Sequence, residues 1–361
     1  HLHRIVPRVG KQERSKFAYF WSWFRFLGTS SLWLFRRHRG SPYDVVHVHN
    51  MPDFLVFAAA YPRMFGAKVI LDIHDIVPEF YASKFGASKH SVTGAILGLA
   101  ERWSARIADH VIISNHLWQD KYSERTRTRG RCSVFINNVD TKVFAQQRRE
   151  RTDGKRIVIF PGGLQWHQGL DIAIRAFSRV SRELPDTEFH IYGDGNMKPS
   201  LVALTAELGL NERVRFFEPV SVKAVARLMG NADLGVVPKR ADSFGNEAYS
   251  TKIMEFMSVG VPTVISSTRI DRYYFDDSVV RFFESGNVEA LATAMVEVLE
   301  NAALRGSLVE NALAYSQKHS WETRKHDYFA IVDKLTGVIT IPPAEMAESA
   351  KEPQWTQEPI R

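Results

Sequence analysis

Short apolar runs recur along the chain from about residue 43, separated by stretches in which apolar residues are spaced by three or four positions. The runs are rich in Val and Ile, which is typical of strands buried on both faces of a parallel sheet. The intervening stretches, such as the one with Leu170, Ile174 and Phe177, predict helices. This alternation predicts an α/β fold with right-handed crossovers. The predicted strands cover residues 45–49, 68–74, 110–114, 156–160, 188–192, 234–238 and 262–266.

A polar and basic stretch at about residues 140–155 interrupts the alternation. We interpret it as a linker between two Rossmann-like domains, which agrees with a length of 361 residues at roughly 100–200 residues per domain. The Pro-containing C-terminus has few large apolar residues and predicts a flexible tail. The predicted divisions are an N-terminal domain of residues 1–148, a second domain of residues 149–320, a helix at 321–339 and the tail at 340–361.

Residues 17–35 form an aromatic-rich run that is followed by Arg36, Arg37 and Arg39. The run approaches the length of a membrane span, but Arg25, a glycine and a Thr-Ser-Ser cluster lie inside it. Three interpretations stay open for this segment. The two favoured ones, for residues 17–39, are an amphipathic helix in the interface of an anionic membrane and a helix packed on a sheet; the less favoured third is a true membrane span.

Composition excludes several classes of protein. An apolar fraction of 45% and a charged fraction of 24% are ordinary for a globular chain and exclude a disordered or collagen-like protein. The single cysteine, Cys132, cannot form an internal disulfide, which favours a reducing compartment. The net charge of +7 favours acidic partners such as phosphates or anionic lipid. Nucleic acid is not expected, because the basic residues are dispersed and lack a stacking platform.

Unusual residues cluster where the predicted strands end. In open α/β sheets, ligands bind outside the carboxyl ends of the strands. Glycines, histidines and basic residues at six strand ends therefore predict a cleft between the two sheets. These strand ends are His49-Asn50, His74-Asp75, Ser114-Asn115, Pro161-Gly162-Gly163, Gly193-Asp194-Gly195 and Lys239-Arg240.

Two glycine turns allow a backbone to approach a bulky ligand closely, Gly162-Gly163 and Gly193-x-Gly195. Neither turn fits a dinucleotide fingerprint, because no third glycine follows Gly195. Neither is a P-loop, since the chain has no Gly-Lys-Ser/Thr. Ordinary strand-to-helix turns are the alternative interpretation of each.

No metal site is expected. We expect His47 and His49 to face opposite sides of their strand and therefore not to form a metal site by themselves. His49 and His74 can converge, but no third ligand is evident, whereas catalytic zinc normally has three protein ligands. The chain also has no Asp-x-Asp pair of the kind that holds a divalent ion on nucleotide phosphates.

The most informative stretch is residues 243–267, in which Glu247 and Glu255 lie eight positions apart. Ser250 or Thr251 can cap a helix that ends near residue 258, where Gly260 is the expected stop. A loop that leads into a helix presents free backbone N–H groups to an anion. The two carboxylates can then bind hydroxyls on either side of a diphosphate. The alternative, an acidic helix start favoured by the dipole, explains one Glu but not both.

With these residues the chain resembles family-four retaining glycosyltransferases over roughly residues 43–335. The resemblance is carried by the E-x7-E signature of Glu247 and Glu255, followed by FMSVGVPTVIS, and by VVHVHN, ILDIHDIVPE, FPGGLQWHQGLDIAIRAF and IYGDG. It implies a GT-B fold of two Rossmann-like domains, with an acceptor-side N-terminal domain and a nucleotide-sugar donor domain after it. It also implies front-face substitution without a metal or other cofactor.

The resemblance implies roles for individual residues. Glu247 would contact the hydroxyls of the donor sugar, and Glu255 the ribose. His74 would lie beside the transferred sugar and the acceptor, and Gly162 and Gly163 beside the diphosphate. The other residues expected to bind the donor are Gly193, Lys239, Arg240, Ala248, Tyr249, Ser250, Thr251 and Lys252.

Three departures from the family pattern stand out. Gly163 and Gln168 occupy the positions where many relatives have Arg and Lys on the diphosphate. We expect Lys252, or Lys239 and Arg240, to supply the missing charge. Residues 248–250 replace the usual Gly-Phe-Gly, which leaves the donor sugar open. The first strands of the N-terminal domain are expected to be missing.

The leading hypothesis is a cytoplasmic enzyme, peripheral to the inner face of the membrane. It would move a sugar from a UDP- or GDP-sugar to a lipid-linked or saccharide acceptor in polysaccharide or glycolipid synthesis. One alternative is a catalytically weak, membrane-peripheral protein that binds nucleotide sugars. The other is a nucleotide-sugar epimerase of the same fold, which would act on free donors without an acceptor.

Overall fold

The computed structural model describes residues 1–6, 16–50, 52–79, 92–147 and 149–338. The predicted tail at 340–361 lies outside the described residues. The chain forms two compact units, one of residues 1–136 with the chain from 326 onward, and one of residues 137–325. The last helix therefore begins in the second unit and continues in the first.

The first unit contains a parallel sheet with the strand order β1-β2-β3-β4. Its buried core includes Ile70, Leu71, Ile73 and Val111. The strands are β1 (Val45–His49), β2 (Lys68–Ile73), β3 (His110–Ile113) and β4 (Cys132–Val134). The helices are α1 (Lys16–Gly40), α2 (Ala60–Met64), α3 (Val92–Ile107) and α4 (His116–Thr126), with short 3-10 helices at Asp53–Ala59 and Arg129–Arg131.

The second unit contains a parallel sheet with the order β10-β9-β8-β5-β6-β7, packed around Phe160, Phe177 and Phe189. The strands are β5 (Arg156–Pro161), β6 (Thr187–Tyr192), β7 (Val214–Phe217), β8 (Leu234–Val237), β9 (Thr263–Ser266) and β10 (Arg281–Phe283). The helices are α5 (Leu170–Glu183), α6 (Lys198–Glu207), α7 (Val222–Gly230), α8 (Thr251–Val259), α9 (Arg269–Tyr274), α10 (Val288–Glu300), α11 (Ala302–Lys318) and α12 (Trp321–Thr336), with a 3-10 helix at Trp166–Gln168.

The predicted α/β class with parallel sheets is confirmed. All seven predicted strands are present, and each end lies within one residue of its predicted position. Three further strands, β4, β7 and β10, were not predicted. They are three or four residues long, and each lies at the edge of its sheet. Each is short and contains Ser or Arg among its few apolar residues, so the sequence shows no continuous apolar run there.

Helix α1 packs one side against its own unit and exposes another. Phe35 lies edge-on to Tyr61 of α2, with ring centroids 4.5 Å apart. Trp21, Gly28 and Leu32 are exposed, and Arg25 shares their stripe at a spacing of three or four residues. Among the described residues, none of the helices is both long enough and apolar enough to cross a membrane.

Helix α8 ends as its sequence predicts. Gly260 adopts a left-handed conformation with φ of 75°, and the N–H of Val261 donates to the carbonyl oxygen of Phe256 at 3.0 Å. These are the features of a glycine C-cap, which satisfies the last carbonyls of a helix. Ser250 precedes the first helical residue, but its side chain makes no capping hydrogen bond.

Replacing Gly260 by Ala is expected to lower the free energy of unfolding by about 1–2 kcal/mol, because an L-residue is strained at positive φ. A Cβ at this position would also meet the side chain of Gln146 at 3.2 Å. The matched control is Gly306→Ala in the interior of α11, where a Cβ meets nothing within 4 Å. That change should stabilise by about 0.5–1 kcal/mol. Urea unfolding measures both, and equal stabilities for Gly260→Ala and wild type would contradict the prediction.

Candidate functional site

Two glycine turns at the carboxyl ends of β5 and β6 lie against each other. Gly162 and Gly193 have φ of 147° and 154°. The Gly162 N–H donates to the carbonyl oxygen of Tyr192 at 2.9 Å, and a Cβ on Gly193 would overlap the carbonyl oxygen of Gly162. Both positions therefore require glycine. The result is a stretch of bare backbone at the edge of the sheet where α/β proteins bind ligands.

Lys252, in the first turn of α8, reaches this backbone. Its side chain lies so close to Gly162 that a Cβ there would overlap its Cε atom at 2.5 Å. Its Nζ donates to Oε1 of Gln168 at 3.1 Å and lies 5.2 Å from the ring centroid of Phe160. Burial lowers the pKa of Lys252 to about 8, although Glu255 acts in the opposite direction. The ammonium group is thus placed over the glycine turn with a neutral amide as its partner.

The other two predicted cations are paired with carboxylates. Lys239 is 4% exposed; its Nζ lies 2.9 Å from Oδ2 of Asp271 and donates to the carbonyl oxygen of Ala248 at 2.7 Å. Arg240 donates to both carboxylate oxygens of Asp171 at 2.7 and 2.8 Å. Within the described part of the chain, no carboxylate oxygen comes within 4.0 Å of Lys252 Nζ. This contrast favours Lys252 as the residue that replaces the missing charge.

The loop that carries Glu247 is held from both sides. Asn246 accepts two hydrogen bonds from the start of α9. The Ile270 N–H donates to the carbonyl oxygen of Asn246 at 2.9 Å, and the Arg269 N–H donates to Oδ1 of Asn246 at 2.9 Å. Lys239 holds the next part of the loop at Ala248. The Glu247 carboxylate is 12% exposed, with Oε1 4.0 Å from Nη1 of Arg269. The loop therefore presents this carboxylate from a fixed backbone.

Tyr249 and Glu255, two predicted donor-binding residues, differ in their surroundings. The Tyr249 ring packs edge-on to Tyr274 at 5.1 Å, and its hydroxyl is buried with no hydrogen-bond partner among the described residues. Burial raises the pKa of Glu255, while Lys252 and a hydrogen bond from Thr251 lower it. Thr251 and Glu255 lie one helical turn apart on α8 and so share a face. Tyr249 thus packs inside the unit, and Thr251 orients Glu255.

His74 lies in the first unit, directly after β2. Its backbone N–H donates to Oδ1 of Asn50 at 2.9 Å, and its carbonyl oxygen accepts from Oγ of Ser114 at 2.9 Å. Residues after three neighbouring strands are therefore hydrogen-bonded to one another at this edge. Asn50 also donates to Oδ1 of the buried Asp53 at 2.8 Å. Burial raises the pKa of Asp53 to about 6, although the Asn50 hydrogen bond lowers it.

The expectation that His47 and His49 face opposite sides of their strand is wrong. Successive side chains alternate, so residues two positions apart share a face. Their rings stack with centroids 4.6 Å apart. The register of β1 and β2 places His49 beside Asp72, and His74 lies two positions beyond Asp72. Nδ1 of His49 is 2.9 Å from Nε2 of His74.

One carboxylate serves all three imidazoles. Oδ2 of Asp72 lies 3.3 Å from His47 Nε2, 3.0 Å from His49 Nδ1 and 3.6 Å from His74 Nε2. Burial raises the pKa of Asp72, but the hydrogen bonds with His47 and His49 and the nearby His74 outweigh it and hold the pKa well below its ordinary value. The hydrogen bond with Asp72 raises the pKa of His49 and outweighs the opposite effect of burial.

Comparison with known protein families covers most of the chain. Residues 142–314 match the family described as glycosyl transferases group 1, and residues 4–138 match the glycosyl transferase 4-like domain. The chain carries two glycosyltransferase domains. The glycine turns, Lys252 and Glu247 belong to the group 1 domain. The histidine cluster belongs to the 4-like domain.

Curated relatives of these domains are distant. Alpha-D-kanosaminyltransferase of Streptomyces kanamyceticus is 24% identical over 326 residues, which cover 86% of this chain and 81% of the relative. D-inositol 3-phosphate glycosyltransferase of Mycolicibacterium smegmatis is 28% identical over 300 residues, covering 78% of this chain and 66% of the relative. The match to glycogen synthase of Mycobacterium tuberculosis spans only 52% of that relative.

Solved structures show the same fold. Sucrose-phosphate synthase from Thermosynechococcus elongatus superposes with a TM-score of 0.71 at 17% identity, covering 88% of this chain and 79% of that one. Anabaena HepE in complex with UDP-glucose gives 0.67 at 17% identity, covering 86% and 82%. The expected GT-B class, with two Rossmann-like units, is confirmed.

The sequence interpretation did not single out Asp72, and it named Asn50 only as a strand end and Gln168 only as a departure from the family pattern. Asp72 was treated only as part of a strand, although its position opposite His49 makes it the centre of the histidine cluster. Asn50 joins two strand ends, and Gln168 is the partner of Lys252. A signal for Asp72 was available, because a buried parallel strand rarely carries a carboxylate without a partner.

Proposed function

We propose that this protein is a retaining glycosyltransferase that moves a sugar from a UDP- or GDP-sugar to a lipid-linked or saccharide acceptor. The observation that carries the proposal is Lys252 placed over the bare backbone of Gly162, where it contacts Gln168 and no described carboxylate. Backbone and an ammonium group together form a site for a diphosphate. The structure of HepE with UDP-glucose, which shares the fold, supports this choice of donor class.

In this proposal the second unit holds the donor. Lys252, Gly162 and Gly163 contact the diphosphate, and the backbone at the start of α8 adds N–H groups. Glu255 accepts hydrogen bonds from the ribose, and Glu247 from hydroxyls of the sugar. Lys239 acts indirectly, because its bond to Ala248 fixes the loop on which Glu247 lies.

The chemistry we propose is front-face substitution. The bond between the anomeric carbon and the diphosphate oxygen breaks, and the acceptor oxygen bonds to the same face of that carbon. The leaving diphosphate oxygen takes the acceptor proton, so the protein needs no nucleophile. Its contribution is positioning and stabilisation of the charge that develops on the diphosphate. His74 would lie beside the sugar and the acceptor, and no resident metal is required.

Helix α1 supports an acceptor at a membrane. Its exposed stripe combines Trp21 and Leu32 with Arg25, Arg36 and Arg39. Aromatic side chains at the depth of the headgroups and arginines against anionic lipid are typical of interfacial helices. We therefore place the protein at the inner face of the cell membrane, on the cytoplasmic side, as part of the proposal.

Incubation with a panel of UDP- and GDP-sugars and with lipid and saccharide acceptors tests the function. Mass spectrometry should show acceptor glycosylation, or slow donor hydrolysis without an acceptor, for at least one donor. Silence across a broad panel would overturn the transferase. In that case a thermal shift with UDP or GDP would identify a binding protein, and conversion between free donors would identify an epimerase.

A further inference from the structure

The histidine cluster of the first unit has the dimensions of a metal site. Candidate ligand atoms of His47, His49 and Asp72 all lie within 4.8 Å of one another. The distances from Oδ2 of Asp72 to the three imidazole nitrogens are 3.3, 3.0 and 3.6 Å. Zinc bonds of about 2.0–2.2 Å to nitrogen and oxygen place neighbouring tetrahedral ligands roughly 3.3–3.6 Å apart. The ligand atoms therefore need to move little to surround an ion.

The strands fix these atoms in place. His49 and Asp72 are directly opposite each other in the parallel register of β1 and β2, and His47 lies two positions before His49 on the same face. This arrangement of the backbone is independent of any single rotamer. A site on strands of a sheet is held more rigidly than one on loops.

A second contact orients His47. The hydroxyl of Tyr328 on α12 lies 2.9 Å from Nδ1 of His47, which leaves Nε2 facing Asp72. Metal-binding histidines usually use their second ring nitrogen in this way, because the outer hydrogen bond selects the tautomer and fixes the ring. Tyr328 also stacks on the His47 ring, with centroids 5.5 Å apart.

We propose that His47, His49 and Asp72 bind one divalent transition-metal ion that prefers imidazole ligands, with Zn²⁺ as the reference ion. His74 or water completes the coordination. The side chains of His49 and His74 are 62% and 42% exposed, so an ion can enter from solvent and leave again. Two or three imidazoles with one carboxylate are a ligand set suited to zinc.

Zinc binding should also affect the reaction. This effect rests on the proposed function, whereas the binding itself does not. An ion at this site draws Nε2 of His74 and Nδ1 of His49 towards it, because these atoms lie 2.9 Å apart beside Asp72. His74 is then withheld from the sugar and the acceptor. We expect Zn²⁺ to be a reversible inhibitor of transfer, relieved by a chelator.

The test is competition of the full chain with a chromogenic chelator for Zn²⁺ alone, together with the visible absorption of bound Co²⁺. We expect one ion per chain. Asp72→Asn and His47→Ala should each weaken zinc at least tenfold, and Tyr328→Phe about 10- to 100-fold, the usual cost of losing an outer hydrogen bond. The matched control is His190→Ala, which removes an imidazole 2.9 Å from a carboxylate oxygen of Glu188 in the second unit. It should bind zinc as wild type does.

Circular dichroism and thermal unfolding establish whether each variant is folded. Asp72→Asn changes the shape of its side chain least, so it still tests the site if the His47→Ala protein does not fold. Wild-type zinc affinity in folded Asp72→Asn and His47→Ala would overturn the site, as would the absence of stoichiometric binding to wild type. Zinc binding is measured without donor or acceptor, so its outcome is separate from that of the proposed transferase.

Discussion

Replacing Lys252 by Met is expected to lower kcat/KM for sugar transfer by about 100- to 1000-fold, the range for removing one group that stabilises developing charge. Met matches the lysine side chain in length as far as Cε but removes the ammonium group, which lies 5.2 Å from the centroid of the Phe160 ring. The diphosphate would then face only backbone N–H groups and the Gln168 amide. Initial rates at several donor concentrations measure the effect.

Lys155→Met is the control for loss of a lysine in the same unit. Lys155 pairs with Glu188 beside the first residues of β5 and β6, away from the strand ends that carry the glycine turns. It should retain wild-type kcat/KM. A Lys252→Met enzyme as active as this control would show that another group neutralises the diphosphate.

The pH profile gives the same prediction a second readout. The pKa of Lys252 in the free protein is lowered to about 8 by burial, so the side chain is charged at pH 7 and largely neutral at pH 9. Since kcat/KM reports the free enzyme, it should fall as pH rises through 8. In Lys252→Met the low residual rate should lack this decline.

Replacing Glu247 by Ala is expected to lower kcat by about 100-fold or more. A site built to accept hydrogen bonds from substrate hydroxyls loses both the bonds and the position of the sugar when the acceptor is removed. Because Asn246 and Ala248 hold the loop through their own backbone or side-chain contacts, the loop should keep its conformation.

The stabilisation of the Glu247→Ala protein by UDP should match that of wild type, since the proposed contact is with the sugar and not the nucleotide. Glu255→Ala should show the reverse pattern, with weakened UDP binding. The control Glu289→Ala removes an exposed carboxylate that pairs with Arg179 and should change neither quantity. Wild-type transfer by Glu247→Ala would contradict the assignment of the sugar site.

The sequence predicts features that depend on neighbouring residues along the chain. Central strands such as β2 and β5 are continuous apolar runs. The end of α8 at Gly260 is also a local feature, because a glycine C-cap depends only on the residues of that turn. Lys252 was predicted only as one of two alternatives for the missing charge. Our proposal of Lys252 rests on Asp171 and Asp271, which pair with Arg240 and Lys239 from far along the chain.

The histidine cluster shows what register adds to periodicity. The two-residue spacing of His47 and His49 already predicts that they share a face of the strand, and applying the alternation correctly would have placed them together. Asp72 joins them only through the pairing of β1 with β2, and Tyr328 through a helix almost 300 residues further along. No local pattern encodes such contacts, because they arise when the sheet and the last helix pack.

The final helix has a consequence for protein engineering. The first unit is not a contiguous segment, since it includes residues from 326 onward, and Tyr328 contacts His47 there and meets Phe135 edge-on at 6.4 Å. A chimera that exchanges only residues 1–136 with a relative would place foreign strands against the original helix. An exchange of the first unit should therefore transfer two segments together, residues 1–136 and the part of α12 from residue 326 that completes the unit.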